Sequence, residues 1–230
     1  GHEPGQGAGG RTLRLHFQPQ LRGPAGPGIA HAPGQPGHGR GGGGDRAAGG
    51  RAGAGLTRKA SFPPVISADT GLLILGSLPG ERSLAEARYY AHPQNRFWHL
   101  VGHAIGTDLA SLPYDRRLTT LLDHGIGLWD VIASASRANS SLDAAIRDVA
   151  ANPLADLAAT LPRLQAVAFN GATAAHIGQP LLAGTPMTLL PLPSSSPAYA
   201  AMPLAEKEQR WQAIGKFVAR RLPAPPQQSI

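Results

Sequence analysis

The chain has 230 residues, a formal net charge of +7 at pH 7 and no cysteine. The missing cysteines exclude disulfides, thiolate nucleophiles and cysteine-ligated zinc or iron–sulfur sites. No apolar run reaches the roughly 18 residues that a membrane-spanning helix needs, and residues 1–30 lack the apolar segment of a signal peptide. We therefore expect a protein that works inside the cell, away from membranes.

Composition divides the chain near residue 60. Residues 1–60 are dominated by Gly, Ala, Pro, His and Arg and carry eight basic but two acidic residues, whereas the remainder has a net charge of only +1. Such a segment cannot bury enough apolar surface to offset the entropy lost on ordering. We predict a disordered tail over residues 1–60, a folded domain over 61–222 and a flexible C-terminal end over 223–230. The tail either adds non-specific phosphate affinity or does nothing, and the folded domain has little net charge for binding polyanions.

The folded part alternates strands with helices. We predict, in chain order, a strand at 72–76, helices at 84–88, 95–105 and 115–124, a strand at 125–132, helices at 140–151 and 153–161, a strand at 164–169, a helix at 172–182, a strand at 188–192 and a last helix at 204–222. The first strand is an unbroken apolar run, as expected of a strand covered on both faces. The last helix should turn Trp211 inward and Lys207 and Lys216 outward. This alternation implies an α/β fold of three αβα layers around a four-stranded parallel sheet.

The carboxyl ends of parallel strands meet at one edge of a sheet, and ligands bind there in open α/β folds. That edge should collect the turn at 76–80, Asp130, Asn170 and the serine-rich turn at 193–197. Another polar group, HPQNR at 92–96, immediately precedes the apolar face of the 95–105 helix and is interpreted as a functional loop.

Familiar catalytic motifs are absent from the sequence. It contains no P-loop, GxGxxG, HExxH or nucleophile elbow, so nucleotide, dinucleotide, zinc-protease and esterase functions lose their usual support. His99 and His103 have the i, i+4 spacing of metal ligands, but no third ligand lies nearby in the sequence. We expect neither a metal nor a cofactor.

Five segments carry a family resemblance. They are GSLPG at 76–80, YAHPQNRFW at 90–98, GIGLWDV at 125–131, FNG at 169–171 and LPSSSPA at 192–198. In this order they resemble the uracil-DNA glycosylase superfamily, and most closely its hypoxanthine-DNA (deoxyinosine) glycosylase family; the second segment is also similar to the mismatch-specific branch. The resemblance spans residues 71–222. It implies a partner, DNA containing deaminated bases, from which the protein removes hypoxanthine, and also uracil or xanthine, after flipping the base into a pocket.

The resemblance also assigns roles to residues. Phe97 would be the aromatic floor under the base, and Asp130 would read the base, since an ionised carboxylate accepts a hydrogen bond from a ring N–H. Gly76, Ser77 and Tyr90 would complete the base pocket. The residues that would meet the DNA backbone are Ser194, Ser195, Ser196 and Pro197. The alternatives are that Asp130 serves as a cap or in an ion pair, that the serines form a surface turn and that Tyr90 is ordinary core.

Two positions depart from the superfamily pattern. Leu78 stands where many members have an Asp or Asn that positions the attacking water, and Leu192 stands where many have a His or Asn that stabilises the leaving base. The hypoxanthine-DNA glycosylase family that the chain most resembles shares both departures and relies on the Asn of the HPxN segment. The resemblance therefore assigns the catalytic role to Asn95, whose side-chain oxygen would orient water along a largely dissociative path.

Other expectations follow from the same resemblance. No lysine is placed for Schiff-base chemistry, so the enzyme should be monofunctional. We expect a cytoplasmic monomer, associated with the nucleoid if bacterial. A uracil- or mismatch-directed glycosylase, a catalytically inactive DNA-binding module and a flavodoxin-like ligand binder remain the alternatives.

Overall fold

The computed structural model describes residues 57–137 and 142–218. The strands are β1 (Thr57–Ala60), β2 (Leu72–Gly76), β3 (Ile126–Asp130), β4 (Ile132–Arg137), β5 (Ile146–Ala151), β6 (Ala166–Asn170) and β7 (Thr188–Leu192). The α-helices are α1 (Glu81–Glu86), α2 (Phe97–Ile105), α3 (Tyr114–Asp123), α4 (Leu154–Ala159), α5 (Ala172–Leu181) and α6 (Leu204–Trp211). Short 3₁₀ segments occupy Asp143–Ala145 and Gln212–Phe217. Most of the predicted tail, the proposed helix start at 140–141 and the C-terminal end lie outside the described residues.

A fully parallel sheet forms the centre of the fold, in the order β3-β2-β6-β7. Leu72 of β2 pairs with Ile126 of β3 on one side and with Ala166 of β6 on the other. All five residues of β2 are buried, because strands occupy both edges and helices cover both faces. The predicted four-stranded parallel sheet and α/β class are confirmed.

Alternate residues of β2 face opposite layers, as the two-residue period of a strand requires. Leu72 and Ile74 pack in a core with α2, α3 and α6, whereas Leu73 and Leu75 pack with α4, α5 and β4. Phe97 and Leu100 of α2 are completely buried in the first core. Burying each such side chain contributes about 1.5–3 kcal/mol, so α2 is held by its apolar face. No helix among the described residues is both long and apolar enough to cross a membrane.

A second, antiparallel sheet was not predicted. β4 lies at its centre, flanked by β1 and β5. The predicted helix over 140–151 is therefore wrong, because Ile146–Ala151 forms β5 and pairs with β4 through two irregularities of register. The predicted tail boundary is also four residues too late, since Thr57–Ala60 forms β1 against β4. In both places pairing between strands outweighs the local composition.

The end of the described chain differs in detail from the prediction. The last α-helix stops at Trp211 and continues as a 3₁₀ segment to Phe217. Trp211 is completely buried, as predicted, but Lys207 is also buried, and its Nζ donates a 2.7 Å hydrogen bond to the carbonyl of Tyr199. The prediction that Lys207 points outward is wrong, because the loop before α6 folds back over it.

Candidate active site

A cleft of about 430 Å³ opens at the carboxyl edge of the parallel sheet. Gly76, Asp130 and Asn170, the last residues of β2, β3 and β6, all line it. The loops after β2 and β7 and the segment before α2 form its walls. The predicted convergence of strand ends at one site is confirmed by this arrangement.

Asp130 lies at the bottom of the cleft with 3% of its surface exposed. The Ser61 hydroxyl donates a 2.8 Å hydrogen bond to Asp130 Oδ2, and the Asn152 side-chain amide holds the Asp130 carbonyl at 2.8 Å. Burial raises the pKa of Asp130 from 3.8 to about 7; the hydrogen bond from Ser61 opposes the rise and the nearby carboxylate of Asp143 adds to it. The carboxyl group can therefore exchange a proton near neutral pH.

Gly76 leaves room for this carboxyl group. A Cβ at position 76 would lie 2.7 Å from Asp130 Oδ1, closer than real Cβ atoms approach, and in a tight contact of 3.1 Å with the Tyr90 hydroxyl. β2 therefore needs a residue without a side chain where Asp130 and Tyr90 meet, which gives Gly76 a steric role in the predicted base pocket.

Tyr90 and Phe97 form a stacked pair beside Asp130. Their ring centroids are 3.7 Å apart and their planes differ by 11°. Phe97 is completely buried and does not line the cleft, whereas Tyr90 does. The accessible aromatic face predicted for Phe97 is therefore offered by Tyr90, and direct stacking of a base on Phe97 requires Tyr90 to move.

The Tyr90 backbone and hydroxyl are both unusual. Tyr90 has φ of +52°, a left-handed conformation that non-glycine residues seldom adopt. Its hydroxyl is buried and makes no hydrogen bond within the described residues, although the Asn170 side chain lies close enough to oppose the rise in pKa that burial causes. A strained backbone and an unpaired buried hydroxyl are features that cluster at functional sites.

Asn95 lines the cleft, but its side-chain oxygen already has one partner. Oδ1 accepts a 2.9 Å hydrogen bond from the Phe97 N–H at the start of α2. An amide oxygen has two lone pairs, so one acceptor site remains for water. The neighbouring Arg96 N–H donates to the Ser195 carbonyl at 3.0 Å and joins this segment to the serine-rich turn.

The serine-rich turn is fixed by Asn170. The Asn170 Nδ2 donates to Ser195 Oγ, its Oδ1 accepts from the Ser195 N–H, and both bonds are 2.8 Å long. Ser195 is 1% exposed, whereas Ser194, Ser196 and Pro197 are more accessible at the cleft wall. The predicted set of DNA-contacting residues therefore divides into one inward-facing serine and three residues nearer the surface.

The Ser77 side chain binds Asp143, a cleft residue that the sequence did not indicate as part of the site. The Ser77 hydroxyl donates a 2.7 Å hydrogen bond to Oδ1 of Asp143, and both residues line the cleft. Asp143 falls in the predicted 140–151 helix and Ser61 is the first residue of the predicted domain, so neither had a recognisable signal. Asn170 did have one, because it is the centre of the FNG segment.

The two positions that depart from the superfamily pattern are structural. Leu78 and Leu192 are each 6% exposed and belong to the two apolar cores.

His99 contacts Glu208 at 2.6 Å, and in residues 57–137 and 142–218 no three His, Asp or Glu side chains form a group that could hold a metal.

Comparisons with known proteins agree with the fold and show the family. The profile of the Uracil DNA glycosylase superfamily matches residues 63–215. A protein of Methanosarcina acetivorans named Hypoxanthine DNA glycosylase is 41% identical over 156 residues, which cover 68% of this chain and 97% of that protein. A protein of Methanosarcina barkeri with the same name is 46% identical over 114 residues, covering 50% of this chain and 72% of that protein.

A solved structure matches as well. The solution NMR structure of a candidate uracil DNA glycosylase from Methanosarcina acetivorans is 40% identical, covers 70% of this chain and 98% of its own, and superposes with a TM-score of 0.63. This chain belongs to the uracil-DNA glycosylase superfamily.

Proposed function

We propose that the protein is a monofunctional DNA glycosylase that hydrolyses the N-glycosidic bond of deaminated bases, with hypoxanthine as its main target and uracil and xanthine as further ones. The observation that carries this proposal is the buried carboxyl group of Asp130 at the bottom of the cleft. The similarity to two relatives named Hypoxanthine DNA glycosylase supports the same substrate.

Asp130 is suited to hydrogen-bond the edge of the base that deamination changes. Hypoxanthine carries a ring N–H beside a carbonyl, where adenine has a ring nitrogen that only accepts. An ionised Asp130 accepts from that N–H, and no donor on adenine answers it at the same place. Uracil and xanthine offer a comparable N–H, so the carboxylate alone does not separate the three bases.

The base would lie against the aromatic pair. Tyr90 supplies the accessible face and Phe97 supports it from behind at stacking distance. Gly76 and Ser77 line the same pocket, with Gly76 directly beside the Tyr90 hydroxyl. Stacking a flipped base on an aromatic ring contributes about 1–3 kcal/mol, which helps to offset the cost of removing it from the duplex.

Asn95 would orient the attacking water through the acceptor site that Phe97 leaves unused. A neutral amide is a poor base, so the reaction has to proceed mainly by departure of the base, with positive charge developing on the sugar. Lys207 is the cation nearest this region on α6, but its amine is buried against the Tyr199 carbonyl and does not line the cleft. Water, not lysine, is therefore the nucleophile, and no cofactor is required.

The rim of the cleft would meet DNA. Ser194, Ser196 and Pro197 present a neutral, hydrogen-bonding surface that suits the phosphodiester backbone without reading sequence. Ser195 supports this turn from inside through Asn170. We propose that the enzyme acts as a monomer in the cytoplasm, where the DNA is if the source is bacterial.

Single-turnover cleavage of oligonucleotides tests the proposal. Duplex and single-stranded DNA carrying one deoxyinosine, deoxyuridine or deoxyxanthosine is incubated with excess protein, and alkali then reveals abasic sites. We expect abasic sites from deoxyinosine. Product from deoxyuridine alone would move the protein to a uracil-directed branch, and retained DNA binding without any product would indicate an inactive binding module, which the inert Leu78 and Leu192 favour.

A further inference from the structure

Asp143, which lies between two strands of the antiparallel sheet, places its carboxylate beside the loop after β2. Asp143 begins the short 3₁₀ segment between β4 and β5, and its Oδ1 accepts the hydrogen bond from Ser77. Ser77 directly precedes Leu78, whose side chain is buried in the core. The side of the cleft that has no carboxylate in its own loop therefore receives one from a different element of the fold.

The orientation of Asp143 is partly fixed. Ser77 holds Oδ1 at 2.7 Å, and the Asp143 carboxylate makes no other hydrogen bond with residues 57–137 and 142–218. No described residue binds the second carboxylate oxygen, which leaves it available among these residues to a water or a substrate group. Asp143 is exposed and lines the cleft, so water reaches it without any rearrangement.

The negative charge of Asp143 acts on two groups inside the cleft. It contributes to the raised pKa of Asp130 and to that of Tyr90, the two groups assigned to base binding. Asp143, Asp130 and Tyr90 all line the same cleft, where a negative charge would stabilise positive charge developing on the sugar.

We infer that Asp143 is a catalytic residue of the glycosylase, which binds the attacking water together with Asn95 and accepts its proton. This inference rests on the proposed function. As the bond between the base and C1′ breaks, its electron pair leaves with the base, and the water oxygen forms the new bond to C1′. The water proton passes to the Asp143 carboxylate and from there to solvent, and the departing base takes a proton from solvent.

This assignment divides the work between an amide and a carboxylate. Asn95 accepts a hydrogen bond from water but cannot take its proton at neutral pH, whereas Asp143 can do both. A positioned general base contributes typically 10²–10⁴-fold to a rate. Ser77 is then a positioning residue, since it acts through the carboxylate and not on the substrate.

The test compares Asp143→Asn with the wild-type protein in single-turnover cleavage of deoxyinosine DNA. Asn can still accept the Ser77 hydrogen bond, so the variant keeps the local structure while losing the basic group. We expect the rate at saturating protein to fall by at least tenfold, with unchanged thermal unfolding and a Kd for DNA that is equal or lower. The cleavage rate of Ser77→Ala should fall by a smaller factor. The cleavage rate of Asp156→Asn, a change at an exposed position of α4, should equal that of wild type.

The outcomes separate this inference from the proposed function. A wild-type protein that cleaves no substrate overturns both. An active wild type with an Asp143→Asn rate within twofold of it overturns the role of Asp143 alone. A variant whose only change is weaker DNA binding would make Asp143 a binding residue and would also overturn the inference.

Discussion

The Ser61 hydroxyl donates to Oδ2 of Asp130 at 2.8 Å, although the two residues are 69 positions apart in the chain. Ser61 follows β1, and its own N–H donates to the carbonyl of Ala133, a residue of β4. The antiparallel sheet thus reaches the bottom of the cleft, where the hydrogen bond from Ser61 opposes the rise in the pKa of Asp130, the residue that we propose reads the base.

Ser61→Ala should shift the pH dependence of cleavage upward. Asp130 must be ionised to accept from hypoxanthine, so cleavage of deoxyinosine should rise with pH around a midpoint of about 7. Losing a hydrogen bond to a charged group costs about 1.5–3 kcal/mol, which corresponds to a midpoint higher by about one pH unit or more. The pH profile of the single-turnover rate is the measurement. An unchanged midpoint in Ser61→Ala would show that Asp130 does not set it.

Asp130→Asn should change how stability depends on pH. The folded protein keeps the Asp130 proton up to about pH 7, whereas an unfolded aspartate releases it near 3.8. The free energy of unfolding therefore falls as pH rises between these values and is level above them. Without the titrating group, the variant should lose this fall and exceed wild type at pH 8 by an amount on the order of a few kcal/mol. Urea denaturation at pH 5 and pH 8 measures the difference, and parallel pH dependences in the two proteins would contradict it.

Asn95 has two roles that two substitutions can separate. Asn95→Ala removes both the acceptor for water and the acceptor for the Phe97 N–H, so cleavage should fall by about 100-fold or more and stability by about 0.5–2 kcal/mol. Asn95→Asp keeps an acceptor for the Phe97 N–H and should retain stability. DNA affinity by fluorescence anisotropy should be unchanged in both. Full cleavage by Asn95→Ala would leave Asn95 with a structural role only.

Tyr90 should respond differently to loss of its hydroxyl and loss of its ring. Tyr90→Phe removes a buried hydroxyl that has no hydrogen bond within the part of the chain that the structure describes, so stability should stay level or rise by about 1 kcal/mol. Tyr90→Ala exposes the face of Phe97 and removes the accessible stacking surface, so the Kd for deoxyinosine DNA should rise about tenfold.

The control for the Tyr90 variants is undamaged DNA of the same sequence, whose affinity should not change. Tighter binding of deoxyinosine DNA by Tyr90→Ala would instead mean that Tyr90 blocks Phe97, and that the base stacks on Phe97 after Tyr90 moves aside.

The sequence predicts the parallel sheet well because its signals are local. The apolar run of β2 and the polar residues that end β3 and β6 are readable without knowing their neighbours. β5 was mistaken for a helix because its strand character comes from pairing with β4. No residue near Thr57–Ala60 indicates that its partner lies in Ile132–Arg137.

The same difference between local signals and tertiary pairing explains which site residues the sequence indicated. Asp130 and Asn95 belong to contiguous motifs, were predicted as site residues and line the cleft, whereas Ser61 and Asp143 join it through the antiparallel sheet and were not predicted. The stacking of Tyr90 on Phe97 is likewise a tertiary result. It depends on the left-handed backbone at Tyr90, which the sequence gives no reason to expect at a bulky residue.

The position of β1 determines where this protein can be shortened. β1 covers one side of β4, and β5 covers the other. A fragment that begins at Ser61 would leave a row of unpaired N–H and C=O groups along β4, which invites pairing with the same edge of a second molecule. Such a fragment should self-associate and lose the anchor of Ser61, whereas one beginning a few residues before Thr57 should keep both the covered edge and the tuned carboxyl group.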